Sequence, residues 1–504
     1  MMKFFDGNKR KITGIILVCF ILVFQQGIAS ENNTSNEYFP IDVIHEDLSF
    51  LSDLDIYTPR SSQPAFAVKD STFTITITGR LPTTFFVYIS TAYEPVVDDI
   101  WLPIEMIHSI DSITHEITVS TPSFAPVGLY NLTILVLRNG EYQRTVEPRA
   151  VQVIDEFKES FSFIHITDFH VGDPRGLFES IQETIGWKSV KRCINEINIL
   201  HPDFVVISGD LTYGQLYPFE YRNEYDLCYD MIQEFDVPTF LAPGNHDGYN
   251  RILEDGLAFW ERFFGPLYYS FDYGNFHFQS INSYDMSKFH RLTFFFIPLN
   301  WGGSISDEQL DWIEQDLAAH QGSNHVQFMH HNPLWETRKD SLMLKEYTNR
   351  ENLLSLIKSY QVDLVLAGHV HWDNVTIQNG TTFITTTTPE SEISVDDGYW
   401  GYRLIEIENE EITKYNYKEP KYPIPSYHLS VETWQDDRLA MATFKNDLEM
   451  DIIGHISVVL PIGNYGVSDG IISQQRTKDN QTQLFLEVPI PEQSTKTVLV
   501  SSIQ

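Results

Sequence analysis

Residues 161–170 read Phe-Ser-Phe-Ile-His-Ile-Thr-Asp-Phe-His, an apolar run that ends in the polar cluster Asp168-Phe169-His170. The same arrangement returns four times further along the chain, each time as an apolar run followed by side chains that commonly bind metal ions. These further clusters are Gly209-Asp210, Gly244-Asn245-His246-Asp247, His330-His331 and Gly368-His369-Val370-His371. A lone Asp or His after a strand is usually a cap or a turn former. Five such clusters in succession instead favour a metal site.

The apolar runs before the clusters are short, and we predict that they form buried β-strands at residues 161–166, 204–207, 239–241, 326–329 and 364–366. Helical patterns at residues 178–200 and 219–235 lie between some of them, which is typical of crossover connections in a mostly parallel sheet. Ligands bind at the carboxyl ends of the strands in such sheets. We therefore expect all five clusters to meet at one sheet edge.

Taken in this order, the clusters resemble the motifs of the calcineurin-like metallophosphoesterases over about residues 160–418. The resemblance implies a central α/β domain, a two-layered β-sandwich flanked by helices, in which residues 375–378, 383–388 and 403–408 close the second sheet. His170 in the first cluster points to the branch similar to cyclic nucleotide phosphodiesterases. Purple acid phosphatases lack that histidine and have a tyrosinate ligand where Tyr213 stands, so Tyr213 is predicted to be a packing or supporting residue.

The resemblance also implies a role for each matching residue. Seven residues would hold two divalent ions: Asp168, His170 and His371 one ion, Asn245, His330 and His369 the other, and Asp210 both. His246 would be the general acid, and Asp247 would orient and charge its imidazole. This mixture of nitrogen and oxygen donors suits manganese, iron, zinc or cobalt and does not choose among them.

The fourth cluster contains two histidines where one ligand is needed. His330 follows the strand directly, and side chains alternate between the two faces of a strand, so we predict His330 as the ligand. His331 is then a structural residue or a residue on the substrate side.

The implied activity is hydrolysis of a phosphomonoester or phosphodiester by a hydroxide held on the two ions. A net charge of −35 disfavours nucleic acid polymers as partners, because it repels their phosphates at long range. A small phosphate ester is therefore the expected partner. The alternative is a non-catalytic surface binding protein on a phosphoesterase scaffold, with the flanking domains as the working parts. The sequence indicates neither the substrate nor the oligomeric state.

Residues 1–30 are predicted to be a signal peptide. Four basic side chains within residues 1–11 precede an apolar stretch at residues 12–24, which is shorter than the ~20 residues that span a bilayer. Small residues follow, as expected of a cleavage site. The alternative is an uncleaved anchor that associates the protein with a membrane or cell surface. Both interpretations place the protein outside the cytoplasm, secreted or on the extracellular face of the membrane.

The remaining segments on both sides of the central domain have strand patterns. Alternating and β-branched runs predict an N-terminal immunoglobulin-like β-sandwich at residues 31–157. Pro420, Pro423 and Pro425 indicate a linker. The predicted multidomain chain therefore continues from the metallophosphoesterase domain at residues 158–420 into a C-terminal β-sandwich domain at residues 421–504.

Overall fold

The computed structural model describes residues 54–503 except 83, 93–97, 139–140, 174–179, 215–219, 252–253, 295–296, 336–346, 390–399, 419–421 and 437. The predicted signal peptide lies outside the described residues. Within the described ranges, no helix is long and apolar enough to cross a membrane.

The described residues between 54 and 157 form nine strands in two sheets. They are β1 (Asp55–Thr58), β2 (Ala65–Val68), β3 (Thr72–Thr78), β4 (Phe85–Thr91), β5 (Ile100–Leu102), β6 (Ile104–Ser109), β7 (Thr114–Ser120), β8 (Gly128–Arg138) and β9 (Glu141–Ile154). The sheet orders are β1-β3-β7-β6 and β2-β9-β8-β4-β5. Every second side chain of β3 is buried, because successive side chains of a strand point to opposite faces. Ile75 and Ile77 of the first sheet thereby share one hydrophobic core with Ile134 of the second.

The central region alternates strands and helices. Its strands are β10 (Phe161–Ile166), β11 (Phe204–Ile207), β12 (Thr239–Leu241), β13 (Asn250–Arg251), β14 (Glu254–Asp255), β15 (Tyr269–Tyr273), β16 (Phe276–Ile281), β17 (Thr293–Phe294), β18 (Ile297–Pro298), β19 (Asn324–Met329), β20 (Leu364–Ala367), β21 (Asn374–Gln378), β22 (Thr381–Thr385), β23 (Gly401–Glu408), β24 (Glu411–Lys414) and β25 (Ile424–Pro425). Its helices are α1 (Ile185–Leu200), α2 (Tyr221–Ile232), α3 (Asn245–Gly248), α4 (Gly256–Phe264), α5 (Asp307–Ala319) and α6 (Arg350–Ser359), besides a 3₁₀-helix at Ile181–Glu183. The five strands predicted before the clusters are all present.

These central strands form two main sheets rather than one. The first has the order β12-β11-β10-β23-β24, and the second has the order β15-β16-β19-β20-β22-β21. The first three clusters follow the parallel strands β10, β11 and β12, and the last two follow the parallel strands β19 and β20. The expectation of a single sheet edge is therefore wrong, and the two-layered arrangement implied by the resemblance is present.

One strand predicted for the second sheet lies in the first sheet. Residues 403–408 belong to β23, which pairs antiparallel with β10 in the first sheet, with Phe161 opposite Ile407. Among the described residues after the fifth cluster, only β21 and β22 extend the second sheet. The chain thus crosses back to the first layer after completing the second.

Aromatic side chains fill the space between the two main sheets. Phe163 and Phe204 of the first sheet stack with ring centroids 5.1 Å apart, and Phe204 meets Phe278 of the second sheet edge to face at 5.3 Å. All three rings are buried, and full burial of such a side chain contributes roughly 1.5–3 kcal/mol. This core holds the layers together and sets the two groups of strand ends against each other.

The C-terminal region adds seven strands. They are β26 (Leu429–Gln435), β27 (Leu439–Asn446), β28 (Ile452–Pro461), β29 (Tyr465–Val467), β30 (Ile471–Lys478), β31 (Gln481–Ile490) and β32 (Ser494–Ser502). They form sheets of order β26-β27-β32-β29 and β28-β31-β30. Ile194 and Ile197 of α1 share one hydrophobic core with Phe444 and Val458 of this region. The C-terminal strands are therefore packed onto the central helix α1.

Candidate metal centre

The predicted ligands follow the ends of five strands and converge between the two sheets. The ligands form three groups that partly overlap. Within each group, one donor atom of each residue lies within 4.8 Å of the others. The groups are Asp168-His170-His371, Asp168-Asp210-His330 and His330-His331-His369. A further group, His170-Asp210-His246, contains a residue of the third cluster, so residues of all five clusters lie close together.

Five of the predicted ligands have a left-handed backbone, which non-glycine residues rarely adopt. The φ angles are 56° at Asp168, 43° at His170, 54° at Asp210, 77° at His369 and 57° at His371. Such a conformation costs on the order of 1–3 kcal/mol per residue and is typically found at functional sites. The turns after the strands are therefore shaped to aim these side chains.

Two glycines of the motifs allow the carboxylates to approach the backbone. A Cβ atom on Gly244 would lie 2.1 Å from Oδ1 of Asp210, and one on Gly368 would lie 2.3 Å from Oδ2 of Asp168. No heavy atom fits at these distances. Any side chain at either position would displace the carboxylate that the strand end presents.

The first group of donors contains His170, His371 and Asp168. Nε2 of His371 lies 3.3 Å from Oδ1 of Asp168, and it lies 3.1 Å from Nε2 of His170. Nε2 of His170 is also 3.6 Å from the same Asp168 oxygen. Three donor atoms thus point at one small volume.

The second group contains His330, His369 and Asn245. Nδ1 of His330 donates to the carbonyl oxygen of Ser208 at 2.8 Å, which turns Nε2 toward the centre. The amide nitrogen of Asn245 donates to the Tyr249 hydroxyl at 2.8 Å. The Oδ1 atom of Asn245 is buried and has no hydrogen-bond partner among the residues that the structure describes.

Asp210 lies between these two groups. Its Oδ2 is 2.9 Å from Nε2 of His330 and 3.6 Å from Nε2 of His170. Its Oδ1 accepts a hydrogen bond from the backbone N–H of His246 at 2.8 Å. One Asp210 oxygen is thus close to a donor atom of each group.

The charges of the centre are strongly coupled. Burial opposes ionisation of Asp210, but the imidazolium of His330 more than offsets it and holds the pKa of the carboxyl well below its usual range. Burial likewise acts to lower the pKa of His330, and the carboxylates of Asp210 and Asp168 raise it to about 9. A positive charge is thus stabilised at this point, and a divalent ion would supply it in place of the proton. Two carboxylates, four imidazoles and one amide oxygen fit two such ions.

The structure favours His330 over His331 as the ligand. Nδ1 of His331 is bonded to the Ser283 hydroxyl at 2.9 Å, and its Nε2 donates to the carbonyl oxygen of Trp301 at 2.9 Å. Both ring nitrogens are therefore in use, although one of them lies near His330 and His369. His331 is placed as a structural residue behind the centre.

His246 lies beside the first group, with its ring centroid 4.4 Å from that of His170. Its Nδ1 lies 2.6 Å from the carbonyl oxygen of Tyr213 and donates to it, and the Tyr213 ring stacks on the imidazole at 5.5 Å. Burial lowers the pKa of His246 to about 3, although the nearby Asp210 acts to raise it. The imidazole is therefore neutral at neutral pH, and Nε2 is its free acceptor. Tyr213 is a supporting residue, as the sequence predicts.

The predicted contact between Asp247 and the imidazole of His246 is wrong. One oxygen of Asp247 accepts from the N–H and the hydroxyl of Thr212 at 3.0 and 3.1 Å, and the other accepts from the N–H of Gly244 at 2.9 Å. Consecutive side chains of a helical turn such as α3 diverge by about 100°, so the two neighbours face different ways. Asp247 braces the loop, and Tyr213 orients His246.

The sequence analysis missed the residues that support the ligands. Tyr249 positions Asn245 and stands four residues after it, a helical spacing that would have suggested the contact. The carbonyl oxygens of Ser208 and Tyr213 carry no side-chain signal. Backbone acceptors of this kind are visible only once the strands are paired.

A second cluster of histidines and acids lies at the start of β16, away from the strand ends that form the centre. Asp272, His277 and His320 each place one donor atom within 4.8 Å of the others. However, Nδ1 of His277 is 2.8 Å from an oxygen of Asp272, and Nε2 is 2.8 Å from an oxygen of Asp316. Because both ring nitrogens donate to carboxylates, His277 is bonded as an imidazolium, and we do not assign a metal to this cluster.

The chain is similar to a protein family and to several known proteins. Residues 161–373 match the family model described as calcineurin-like phosphoesterase, a range that contains all five clusters. A "Probable glycerophosphodiester phosphodiesterase" of Arcobacter nitrofigilis is 27% identical over 212 residues, which are 42% of this chain and 72% of that protein. A "Probable cyclic nucleotide phosphodiesterase" of Rhodococcus erythropolis is 24% identical over 259 residues, which are 49% of this chain and 80% of that protein. A dimetal phosphatase from Danio rerio has a similar solved structure, with 16% identity and a TM-score of 0.37 over 57% of this chain and 96% of that chain.

Proposed function

Residues 161–373 belong to the calcineurin-like phosphoesterases, a family of hydrolases, and on that basis we propose that this protein is an exported, metal-dependent hydrolase of a small phosphomonoester or phosphodiester. The related proteins are named for glycerophosphodiesters and cyclic nucleotides, and both are small phosphodiesters. The net charge of −35 supports a small substrate over a nucleic acid polymer.

The unpartnered Oδ1 of Asn245 carries this proposal. The Asn245 side chain is buried, its amide nitrogen is held by Tyr249, and its oxygen has no hydrogen-bond partner. Leaving such a group unsatisfied costs about 1–3 kcal/mol. A metal ion at this position would remove that cost.

Two divalent ions, when bound, supply a hydroxide near neutral pH and neutralise charge on the phosphoryl oxygens. Asp168, His170 and His371 would hold one ion, and Asn245, His330 and His369 would hold the other. Asp210 would touch both. The identity of the metals stays open among manganese, iron, zinc and cobalt.

His246 would donate a proton to the leaving oxygen of the ester. The Tyr213 carbonyl fixes the hydrogen on Nδ1, so Nε2 is the atom that gains and then donates a proton. The imidazole is neutral in the free protein, and the negative charge of a bound phosphate ester favours its protonated form. We therefore propose that His246 becomes a general acid only in the complex with substrate.

The flanking regions are proposed to be β-sandwich domains, immunoglobulin-like at the N-terminus. In each region a tyrosine hydroxyl donates to a backbone carbonyl four residues earlier, Tyr130 to Pro126 at 2.7 Å and Tyr465 to Pro461 at 2.6 Å. This resembles the tyrosine corner of such sandwiches. We also propose that residues 1–30 direct export, and that the protein acts outside the cytoplasm.

The proposed function is tested by metal content and hydrolysis measured together. Protein purified with manganese or zinc should contain about two ions per chain and hydrolyse bis-nitrophenyl phosphate. Asp210→Ala should lose one or both ions and the activity, because that carboxylate serves both ions. Asp272→Asn is the control, because it changes a carboxylate that also contacts a histidine but lies outside the centre. This variant should keep metal and activity. A metal-loaded protein that hydrolyses no phosphate ester would support the binding-protein alternative instead.

A further inference from the structure

The ligand side chains of the centre differ in their exposure to solvent. The side chains of Asp168, Asp210 and His330 are almost completely buried, whereas the side chain of His371 is 21% exposed. His371 stands on the loop that follows β20. This loop therefore lies on a solvent-accessible side of the centre.

Two tryptophans lie on the loops that carry His330 and His371. Trp372 follows His371 directly and is 44% exposed, and Trp335 is half-buried on the loop that follows His330. Their ring centroids lie 5.7 Å apart at an interplanar angle of 70°. Trp335 thus supports Trp372 edge to face, and much of the Trp372 indole remains in contact with water.

An ion pair and hydrogen bonds hold the loops of Trp372 and Trp335 in place. Asp373, next to Trp372, is buried and paired with the buried Arg403. The amide of Asn332 donates to the Thr385 hydroxyl at 2.9 Å, and the carbonyl of Asn332 accepts from the N–H of Trp335 at 3.1 Å. These contacts hold an exposed aromatic surface in place, so little ordering is required when a ligand binds.

We propose that Trp372, supported by Trp335, is a stacking subsite for a planar aromatic group on the phosphate ester, as in a nucleotide. This rests on the proposed function, because the centre must bind the phosphate that carries the group. Base–aromatic stacking is sequence-tolerant and changes affinity by about 5- to 150-fold. A quaternary ammonium group, in contrast, is recognised by an aromatic cage around the cation. Two rings meeting edge to face form a platform rather than a cage.

The test compares two esters with the same leaving group. The nitrophenyl ester of thymidine monophosphate and ethyl nitrophenyl phosphate both release nitrophenolate, so the ratio of their kcat/KM values reports recognition of the nucleoside. We expect the metal-loaded protein to favour the thymidine ester by about 10- to 100-fold. Trp372→Leu should bring the ratio close to one. Trp434→Leu, which changes an exposed tryptophan of β26, should leave the ratio unchanged.

Three results would overturn the subsite. The first is that the wild type does not prefer the thymidine ester. The second is that Trp372→Leu lowers kcat/KM equally for both esters. The third is that Trp434→Leu changes the ratio as much as Trp372→Leu does. If neither ester is hydrolysed, the phosphodiesterase part of the proposed function fails, and binding decides the subsite separately. Tighter binding of adenosine monophosphate than of ribose phosphate, lost in Trp372→Leu, supports it. Equal binding of these two ligands, or tighter binding of phosphocholine than of the nucleotide, overturns it.

Discussion

Raising the pH should weaken one buried ion-pair cluster, the histidine clamp formed by Asp272, His277 and Asp316. His277 donates to both carboxylates at 2.8 Å, and its side chain is only 1% exposed. Burial acts to lower the pKa of His277, but the two carboxylates raise it to about 9 from the usual 6.5. The clamp thus joins the hairpin β15–β16 to helix α5 through a positive charge.

The sign and size of the effect follow from this shift. A group with a raised pKa in the folded protein stabilises it fully below the unfolded pKa, and this stabilisation is lost as the pH rises through about 9. A shift of that size corresponds to at most about 3 kcal/mol. Asp272 is 55% exposed, so solvent screens its share, and we expect about 1–2 kcal/mol.

The measurement is the thermal unfolding of the wild type and His277→Gln at about pH 6 and about pH 10. The variant should unfold at a lower temperature than the wild type at the lower pH, and the difference should shrink at the higher pH. His108→Gln, an exposed histidine of β6, controls for general effects of losing an imidazole. A difference that is the same at both pH values would refute the assignment of a charged His277. Titration of the His277 ring signals by NMR gives the pKa directly.

Three further experiments test the centre and the chain terminus. His246→Asn should keep both metals and lose about 10²–10⁴-fold in rate on an alkyl phosphate ester but far less on a nitrophenyl ester, whose leaving group needs little protonation; equal losses on both esters would contradict a general acid. Tyr249→Phe should weaken metal binding about 10- to 100-fold, because the amide of Asn245 loses its acceptor, whereas Tyr284→Phe, which removes a buried hydroxyl bonded to Asn300, should not. Sequencing the N-terminus of the protein from its host should find the chain beginning at Ser30 or Glu31, and a cytoplasmic product that keeps Met1 would contradict export.

Local patterns in the sequence determined the strands and the ligand types of the centre. The runs at residues 161–166, 204–207 and 239–241 coincide with β10, β11 and β12, because a short apolar run bounded by polar turns is buried on both faces of a sheet. The ligands could be named for a similar reason. The donor side chains that follow each apolar run can be read directly from the sequence. The order in which they appear is what resembles the family.

Only the tertiary structure decided which strands share a sheet and where neighbouring side chains point. The pairing of Phe161 with Ile407 joins strands more than two hundred residues apart, and no local periodicity encodes such a partner. The direction of Asp247, away from the imidazole of His246, depends on the N–H groups of Thr212 and Gly244 that surround it. A sequence shows which groups are available, whereas burial, charge and hydrogen bonding between distant segments decide which of them meet.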